Sequence, residues 1–317
     1  MLPNYLSVSG KTRQNDLDVA FTISIQPGTS NRNALDYKDS STGDTSAHAT
    51  QENRQAFLTF GDASWGSFKL GKDLGIYASD AILNDMTLLG VGSAAGTLAG
   101  NTTTLGRIGT GYIYADWKPQ IAYTTPNFNG FSATVGVTQA WNGAENTGRG
   151  GNEPAYEGKA SYAFAGDVSG KVWASGISQQ VQDLNKTATA WDLGANVNMA
   201  GFGATAYYGE GKGTGTTGQF LGGFDADGNK LDSKDWYLQG TYTLPGVGTK
   251  LGVSYGESEL QQNDGTKGRN TMWVAGAYHP ITKHLNLVAE YSDVKHEETA
   301  AASGKAKTVS LGAILFF

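Results

Sequence analysis

The last ten residues of the chain read Thr308-Val-Ser-Leu-Gly-Ala-Ile-Leu-Phe-Phe317. Every second position is apolar, so these side chains share one face of a β-strand: Val309, Leu311, Ala313, Leu315 and Phe317. An apolar strand end of this kind would expose a soluble protein to aggregation. The pattern therefore favours a strand that turns its apolar face to lipid and is hydrogen-bonded to a neighbouring strand.

The same alternation recurs along the whole chain in about fifteen segments of about ten residues, from Asn4–Arg13 to Lys307–Phe317. The connections are alternately short, as at Gln14–Asp16, and long, as at Asp73–Trp117. A transmembrane β-barrel has this asymmetry, with short turns in the periplasm and long loops outside. A soluble secreted β-protein can also mix loop lengths and remains an alternative at this point.

Composition is compatible with such a barrel. The chain has 317 residues, 45 Gly, only 7 Pro, many aromatic residues and a mean hydropathy of −0.35. Strands that alternate lipid-facing and lumen-facing residues leave the average hydropathy unremarkable. The net charge of −6 argues against a nucleic-acid partner. The four His show no metal spacing and no Gly-rich strand–helix unit offers a phosphate loop, so we expect neither an enzyme nor a cofactor.

Two segments carry a family resemblance. The first runs Asn53-Arg-Gln-Ala-Phe-Leu-Thr-Phe60, then Gly66-Ser-Phe-Lys-Leu-Gly-Lys72 and Leu74-Gly-Ile-Tyr77, and the second is Lys118-Pro-Gln-Ile-Ala-Tyr-Thr-Thr-Pro-Asn-Phe-Asn-Gly-Phe131. With the terminal Phe317, they resemble the general trimeric porins of Gram-negative bacterial outer membranes. The resemblance implies one domain over residues 1–317, an all-β transmembrane antiparallel barrel of sixteen strands. Its long third loop, residues 73–117, would fold into the lumen as a constriction.

The resemblance also implies which residues line the constriction, where porins set loop acids against basic residues of the wall. Lys72 matches the basic residue before the loop, Asp85 matches a loop acid, and Arg107 and Arg54 match basic residues of the wall. Lys69 should face the lumen if Phe68 and Leu70 face lipid, by the alternation of the strand. For each basic residue the alternative is a solvated surface position. Leu88, Leu89 and Tyr5 depart from the charged residues common in porins, which would weaken the transverse field.

Partners follow from the same resemblance. We expect a homotrimer in contact with outer-membrane lipid and lipopolysaccharide, and small polar solutes in the pore. Phe317 and Leu315 would form the signal that the barrel-assembly machinery reads. A divalent cation is a further hypothesis for the loop around Asp225, Asp227 and Asp232, whose carboxylates are closely spaced oxygen ligands. The alternative for this loop is a hydrated external segment.

The strand count raises one difficulty. Fifteen strands would leave the first and last strands parallel, whereas bacterial barrels have an even number. We expect that a strand before Leu2 is absent from this sequence, with a barrel closed by a parallel pair as the alternative. The predicted function is a passive outer-membrane diffusion channel for ions and small hydrophilic solutes. The alternatives are a channel selective for sugars or organic acids, and a structural or adhesive barrel.

Overall fold

The computed structural model describes residues 3–27, 51–97, 104–141, 153–181, 184–217, 222–298 and 303–317. Within these ranges nearly all regular structure is β-strand. The described helices are all too short to cross a bilayer.

The described ranges contain eighteen strands in succession, with two short helices in between. The strands before the helices are β1 (Leu6–Gln14), β2 (Leu17–Pro27), β3 (Gln51–Glu52), β4 (Ala56–Asp62) and β5 (Gly66–Leu74). The helices are α1 (Ser79–Leu83) and the 3₁₀ helix η1 (Met86–Leu89), followed by β6 (Ser93–Thr97) and β7 (Thr104–Gly106). The remaining strands are β8 (Trp117–Thr124), β9 (Phe131–Thr138), β10 (Ala155–Phe164), β11 (Val168–Val181), β12 (Lys186–Met199), β13 (Phe202–Lys212), β14 (Asp232–Thr243), β15 (Lys250–Gln261), β16 (Lys267–Pro280), β17 (Leu285–Glu298) and β18 (Gly304–Leu315).

The main sheet is antiparallel throughout and contains sixteen strands. Fifteen of them pair in the order β1-β2-β4-β5-β8-β9 and then consecutively to β18, while the two-residue β3 pairs with β2. Strands β6 and β7 form a separate hairpin inside the segment between β5 and β8. The predicted succession of about fifteen antiparallel strands, each next to its sequence neighbour, is thereby confirmed.

The two faces of the sheet differ as the alternation predicts. All five apolar positions at the end of the chain, from Val309 to Phe317, are exposed on the outer face. On the inner face of the same barrel, β14 buries Asp235, Tyr237 and Gln239, which alternate with exposed Leu238. Apolar side chains on the outside and polar ones on the inside are the arrangement of a barrel that stands in lipid.

The short turns have the backbone that tight hairpins require. Asn15 and Asp16 join β1 to β2 with φ of 48° and 61°, and Ala200 and Gly201 join β12 to β13 with φ of 48° and 84°. Two successive residues with positive φ make the turn whose twist matches that of the flanking strands. These turns lie at the opposite end of the strands from the long connections, which confirms the predicted alternation of loop lengths.

The segment of residues 75–116, here called the inner loop, connects β5 to β8 and contains α1, η1 and the β6–β7 hairpin. Its residues 98–103 lie outside the described residues. Tyr77 and Ile113 pack against Trp141 and Ile177, and Tyr112 packs against Tyr207 of the inner wall. The predicted folding of this loop into the lumen is therefore confirmed.

The first and last strands meet differently from the others. In the described part of the chain no ladder joins β1 to β18. Residues 3–7 and 312–317 instead line one cavity of about 1130 Å³, together with residues 89–91 of the inner loop. The barrel wall thus curves round until its two edge strands face each other across this cavity.

Candidate pore-lining loop and inner wall

The first residues of the inner loop contact a buried ion pair between Glu157 and Lys118. Glu157 of β10 accepts hydrogen bonds from the backbone N–H groups of Ile76 and Tyr77, at 2.7 and 2.8 Å, through one carboxylate oxygen. Its other oxygen accepts from the Thr138 hydroxyl at 2.7 Å and pairs with the ammonium of Lys118. Neither charged side chain reaches solvent. A buried charge of this kind is tolerated because every lone pair has a partner.

The next residue of the loop, Ala78, is hydrogen-bonded to a serine of β11. The backbone N–H of Ala78 donates to Ser175 Oγ at 3.2 Å, and Ser175 donates to Asp192 at 2.6 Å. Ala78 has a φ of 61°, a conformation that a residue with a Cβ seldom adopts. The hydroxyl of Tyr237 donates to the carbonyl of Ala81 at 2.9 Å. Wall side chains therefore hold α1 at its N-terminus and at its midpoint.

Helix η1 is held in the same way. Gln239 of β14 accepts from the N–H of Met86 at 2.7 Å and donates to the carbonyl of Asn84 at 2.9 Å. Asp85 caps η1 by accepting from the backbone N–H of Thr87 at 2.9 Å, and the Tyr112 hydroxyl donates to the same carboxylate, also at 2.9 Å. An aspartate at this position satisfies N–H groups that the helix leaves unpaired.

The far end of η1 is fixed by a second glutamate. Glu290 of β17 accepts from the backbone N–H groups of Val91 and Gly92, both at 2.7 Å, through one oxygen. The hydroxyl of Tyr278 donates to the other oxygen. Gly90 approaches so closely that a Cβ there would lie 1.8 Å from Glu290 Oε1. A side chain at position 90 would require the Glu290 carboxylate to shift from this position.

The returning part of the loop packs on β14–β16. The N–H of Gly111 donates to Ser258 Oγ at 2.9 Å, and Ser258 donates to Asp235. Arg107 is fully buried and donates through Nη1 to the carbonyl of Met272 at 3.1 Å, with its guanidinium 5.7 Å from the ring centroid of Tyr237. Burial lowers the pKa of Arg107, and neighbouring Asp85 opposes that shift.

The five predicted constriction residues fall into different surroundings. Asp85 and Arg107 are buried inside the loop's own packing. Arg54 is buried as well, with its guanidinium 5.6 Å from the ring centroid of Trp117. Lys72 pairs with Ala56 and Pro119, exposed residues of the outer face, so its ladder position is on the outside. Lys69 lies on the inner face as predicted and pairs with Asp73.

Two lysines of the inner wall were not among the residues selected from the sequence. Lys159 of β10 and Lys171 of β11, here called the lysine pair, both bind Asp80 of α1, at 3.0 and 2.5 Å. Lys159 also donates to Ser79 Oγ at 2.9 Å. Burial alone would raise the pKa of Asp80, but the two ammonium groups outweigh it and lower that pKa. The inward parity of each lysine was readable from strand alternation, but their common partner lies about 80 and 90 residues away along the chain.

The acidic loop around Asp225 has an internal role in the structure. The Asp225 carboxylate accepts from the N–H groups of Asp227 and Asn229 and from the amide of Asn263 in a second loop, at 3.0, 2.7 and 2.6 Å. The Asn229 N–H, chiefly, lowers the pKa of Asp225. Asp232 lies 3.7 Å from Lys212. The described residues contain no cluster of three or more acidic or histidine side chains suited to a metal ion.

The C-terminal strand keeps Leu315 and Phe317 exposed on the outer face, as the alternation predicts. Leu315 pairs with Leu285, and the N–H of Phe316 donates to the carbonyl of His284 at 2.8 Å. The last two aromatic rings thus extend just beyond the end of the β17–β18 ladder.

Known proteins share these features of the fold. The family model described as Gram-negative porin matches residues 5–299. No curated protein sequence matches the chain significantly.

Among solved structures, the chain is similar to the outer membrane channel DcaP of Acinetobacter baumannii, with 17% identity over 99% of this chain and 85% of that chain and a TM-score of 0.68. It is also similar to an anion-selective porin from Comamonas acidovorans, with 16% identity, coverage of 99% and 88% and a TM-score of 0.60. The chain is similar as well to the trimer form of OmpT from Vibrio cholerae, folded in vitro. The identity is 15% over 99% of this chain and 91% of that chain, and the TM-score is 0.60. At these identities the similarity shows a shared fold.

Proposed function

The chain belongs to the Gram-negative porin family and forms a channel of the bacterial outer membrane, and from this premise we propose that it is a passive diffusion channel for ions and small hydrophilic solutes. The observation that carries the proposal is the attachment of the inner loop. Side chains of β10, β11, β14, β15 and β17 bind its backbone at intervals from Ile76 to Gly111. A loop fastened at so many points narrows the lumen permanently, so solutes pass according to size and charge without a moving gate.

A sugar-selective channel is the less favoured alternative. Such a channel would offer aromatic faces to the solute along its path. Here the inner-wall rings of Trp173, Tyr207 and Tyr237 are buried beneath the inner loop. An organic-acid-selective channel is better supported, because the inner face carries partly exposed lysines.

Conductance in planar lipid bilayers tests the proposal. The refolded protein should open stepwise channels whose conductance rises in proportion to salt concentration. In a liposome-swelling assay, uptake rates should fall smoothly as the size of uncharged solutes increases. Protein that migrates as folded on unheated gels but gives no conductance steps would refute the channel proposal and support a structural or adhesive barrel.

We also propose that the channel assembles as a homotrimer, as the trimer form of Vibrio cholerae OmpT does. The exposed apolar outer wall can supply both a lipid-facing and a subunit-facing surface, including contacts with lipopolysaccharide in the outer leaflet. Cross-linking in mild detergent should give a ladder that ends at three subunits. A monomer at all protein concentrations would contradict the proposal.

For Phe317 and Leu315 we propose the role of an assembly signal read by the barrel-insertion machinery. Their support is exposure at the end of the last strand. Deletion of Phe317 should reduce the amount of folded protein in the outer membrane of cells, while Phe202→Ala, which removes another exposed outer-face ring, should reduce it less. Equal yields of the two variants would remove this assignment.

A further inference from the structure

The inner loop presents no accessible charge to the pore. Its sequence, residues 75–116, contains four charged residues, Asp80, Asp85, Arg107 and Asp116. All four are buried. Among the loop residues whose burial the structure describes, Leu83 and Leu89 are exposed and Leu88 is half-buried. No charged side chain of the loop reaches the pore, so charge at this level has to come from the wall.

The wall around the loop exposes lysines and hides carboxylates. Side-chain exposure is 32% for Lys69, 21% for Lys159 and 33% for Lys171, but 4% for Asp80. The acids of the wall that face the loop are buried as well, and each accepts hydrogen bonds: Glu157, Asp192, Asp235 and Glu290. Around the inner loop, water and mobile ions therefore meet ammonium groups before they meet carboxylates.

The lysine pair carries an excess of positive charge. Two ammonium groups share the single carboxylate of Asp80, whereas Lys69 has Asp73 as its own partner. The lowered pKa of Asp80 keeps that carboxylate ionised at neutral pH. The three side chains in direct contact thus carry one more positive than negative charge, with Asp192 of β12 acting on Asp80 from a buried position. Leu83 lies on the same side of α1 as Asp80. An anion can approach both ammonium groups next to an apolar surface.

We propose that Lys159 and Lys171 form an anion-binding site in the lumen, which makes the channel favour chloride and small carboxylates over cations although the chain has a net charge of −6. The inference rests on the proposed diffusion function and adds the class of solute that the pore prefers. Lumen charge and total charge act separately, because charges outside the low-dielectric walls of the pore are screened by salt within about 8 Å at physiological ionic strength.

The test is the reversal potential of the purified channel in a gradient of potassium chloride. The native channel should be more permeable to chloride than to potassium. The variant Lys159→Gln/Lys171→Gln should lower the chloride-to-potassium permeability ratio by roughly fourfold or more, since a unit charge about 5 Å from an ion in water has an effect of that size. Lys305→Gln/Lys307→Gln is the matched control, because these lysines share an aspartate on the outer face, and it should leave the ratio unchanged.

The variant Asp80→Asn distinguishes an effect of lumen charge on the permeability ratio from an effect of a displaced inner loop. It removes the shared carboxylate but keeps both lysines, so the permeability ratio should move towards chloride, opposite to the lysine variant. A loop displaced by either change would instead alter conductance in both variants and shift their ratios in the same direction. A cation-preferring native channel, or a lysine variant with the native ratio, would overturn the anion site while conductance steps still support the channel; absence of all conductance would contradict the channel itself.

Discussion

Glu157 and Glu290 hold the two ends of the same loop segment, and each accepts two successive backbone N–H groups through one carboxylate oxygen. They differ in what compensates the charge. Glu157 has the buried ammonium of Lys118, whereas Glu290 has the hydroxyl of Tyr278. The geometry of loop attachment is therefore the same at both ends, but Glu157 forms a direct ion pair with Lys118, whereas buried Arg107 acts on Glu290 only through space.

The difference has an energetic consequence. Removing one member of a buried ion pair leaves the other without compensation, which costs more than the loss of one hydrogen bond. Nearly isosteric substitutions at the Glu157 end should thus lower the free energy of unfolding strongly. At the Glu290 end, the free energy of unfolding should fall chiefly when a substitution changes the shape of a side chain.

The largest effect is expected for Glu157→Gln. The amide can still accept from Ile76 and Tyr77, but its NH₂ group faces Lys118 and leaves that ammonium buried without a counter-charge. The free energy of unfolding should fall by about 3–5 kcal/mol, measured by urea unfolding in lipid vesicles. A loss below about 1 kcal/mol would mean that the ion pair is not needed at this end.

Lys118→Met should come next, with a loss of about 3 kcal/mol. Methionine fills the space next to Trp141, and the Glu157 carboxylate keeps its hydrogen bonds from the loop and from Thr138. In the double variant with Glu157→Gln, the losses should be clearly less than additive, because no unpaired charge remains. Strict additivity of the two losses would show that the residues act independently.

Gly90→Ala should destabilise the other end of the loop by about 1–3 kcal/mol. Its backbone suits any residue, with a φ of −116°, so the effect comes from the added Cβ, which would displace Glu290 from Val91 and Gly92. Current noise through the open channel should rise as the loop loosens. Gly240→Ala is the control, since nothing lies within 4 Å of a Cβ there; equal noise in the two variants would count against the Glu290 attachment.

Glu290→Gln should have the smallest effect, about 1 kcal/mol. The amide oxygen can replace the carboxylate oxygen that receives Val91 and Gly92, and the NH₂ group can donate to the Tyr278 hydroxyl, which then acts as acceptor. If this variant lost as much stability as Glu157→Gln in the same unfolding assay, the proposed difference between the two ends would be wrong.

Some features of the inner loop and the inner wall could be predicted from the sequence and others could not. Strand parity placed Lys69 on the inner face correctly, because side-chain direction along a strand depends only on position. The same parity applies to Lys159 and Lys171, but nothing local indicates that Asp80 bridges them. Asp85 and Arg107 match constriction residues by motif, while the structure buries both in the packing between loop and wall.

The sequence by itself determined the strands, their outward and inward faces, the tight turns and the position of the long inner loop. Each of these depends on a period of two residues or on a few neighbouring φ angles, which are local properties of the chain. The tertiary structure alone decided which charges reach the lumen. That outcome depends on how residues 75–116 pack against wall strands up to about 200 positions further along the chain, where burial and pairing remove the loop's own charges and leave the wall lysines exposed.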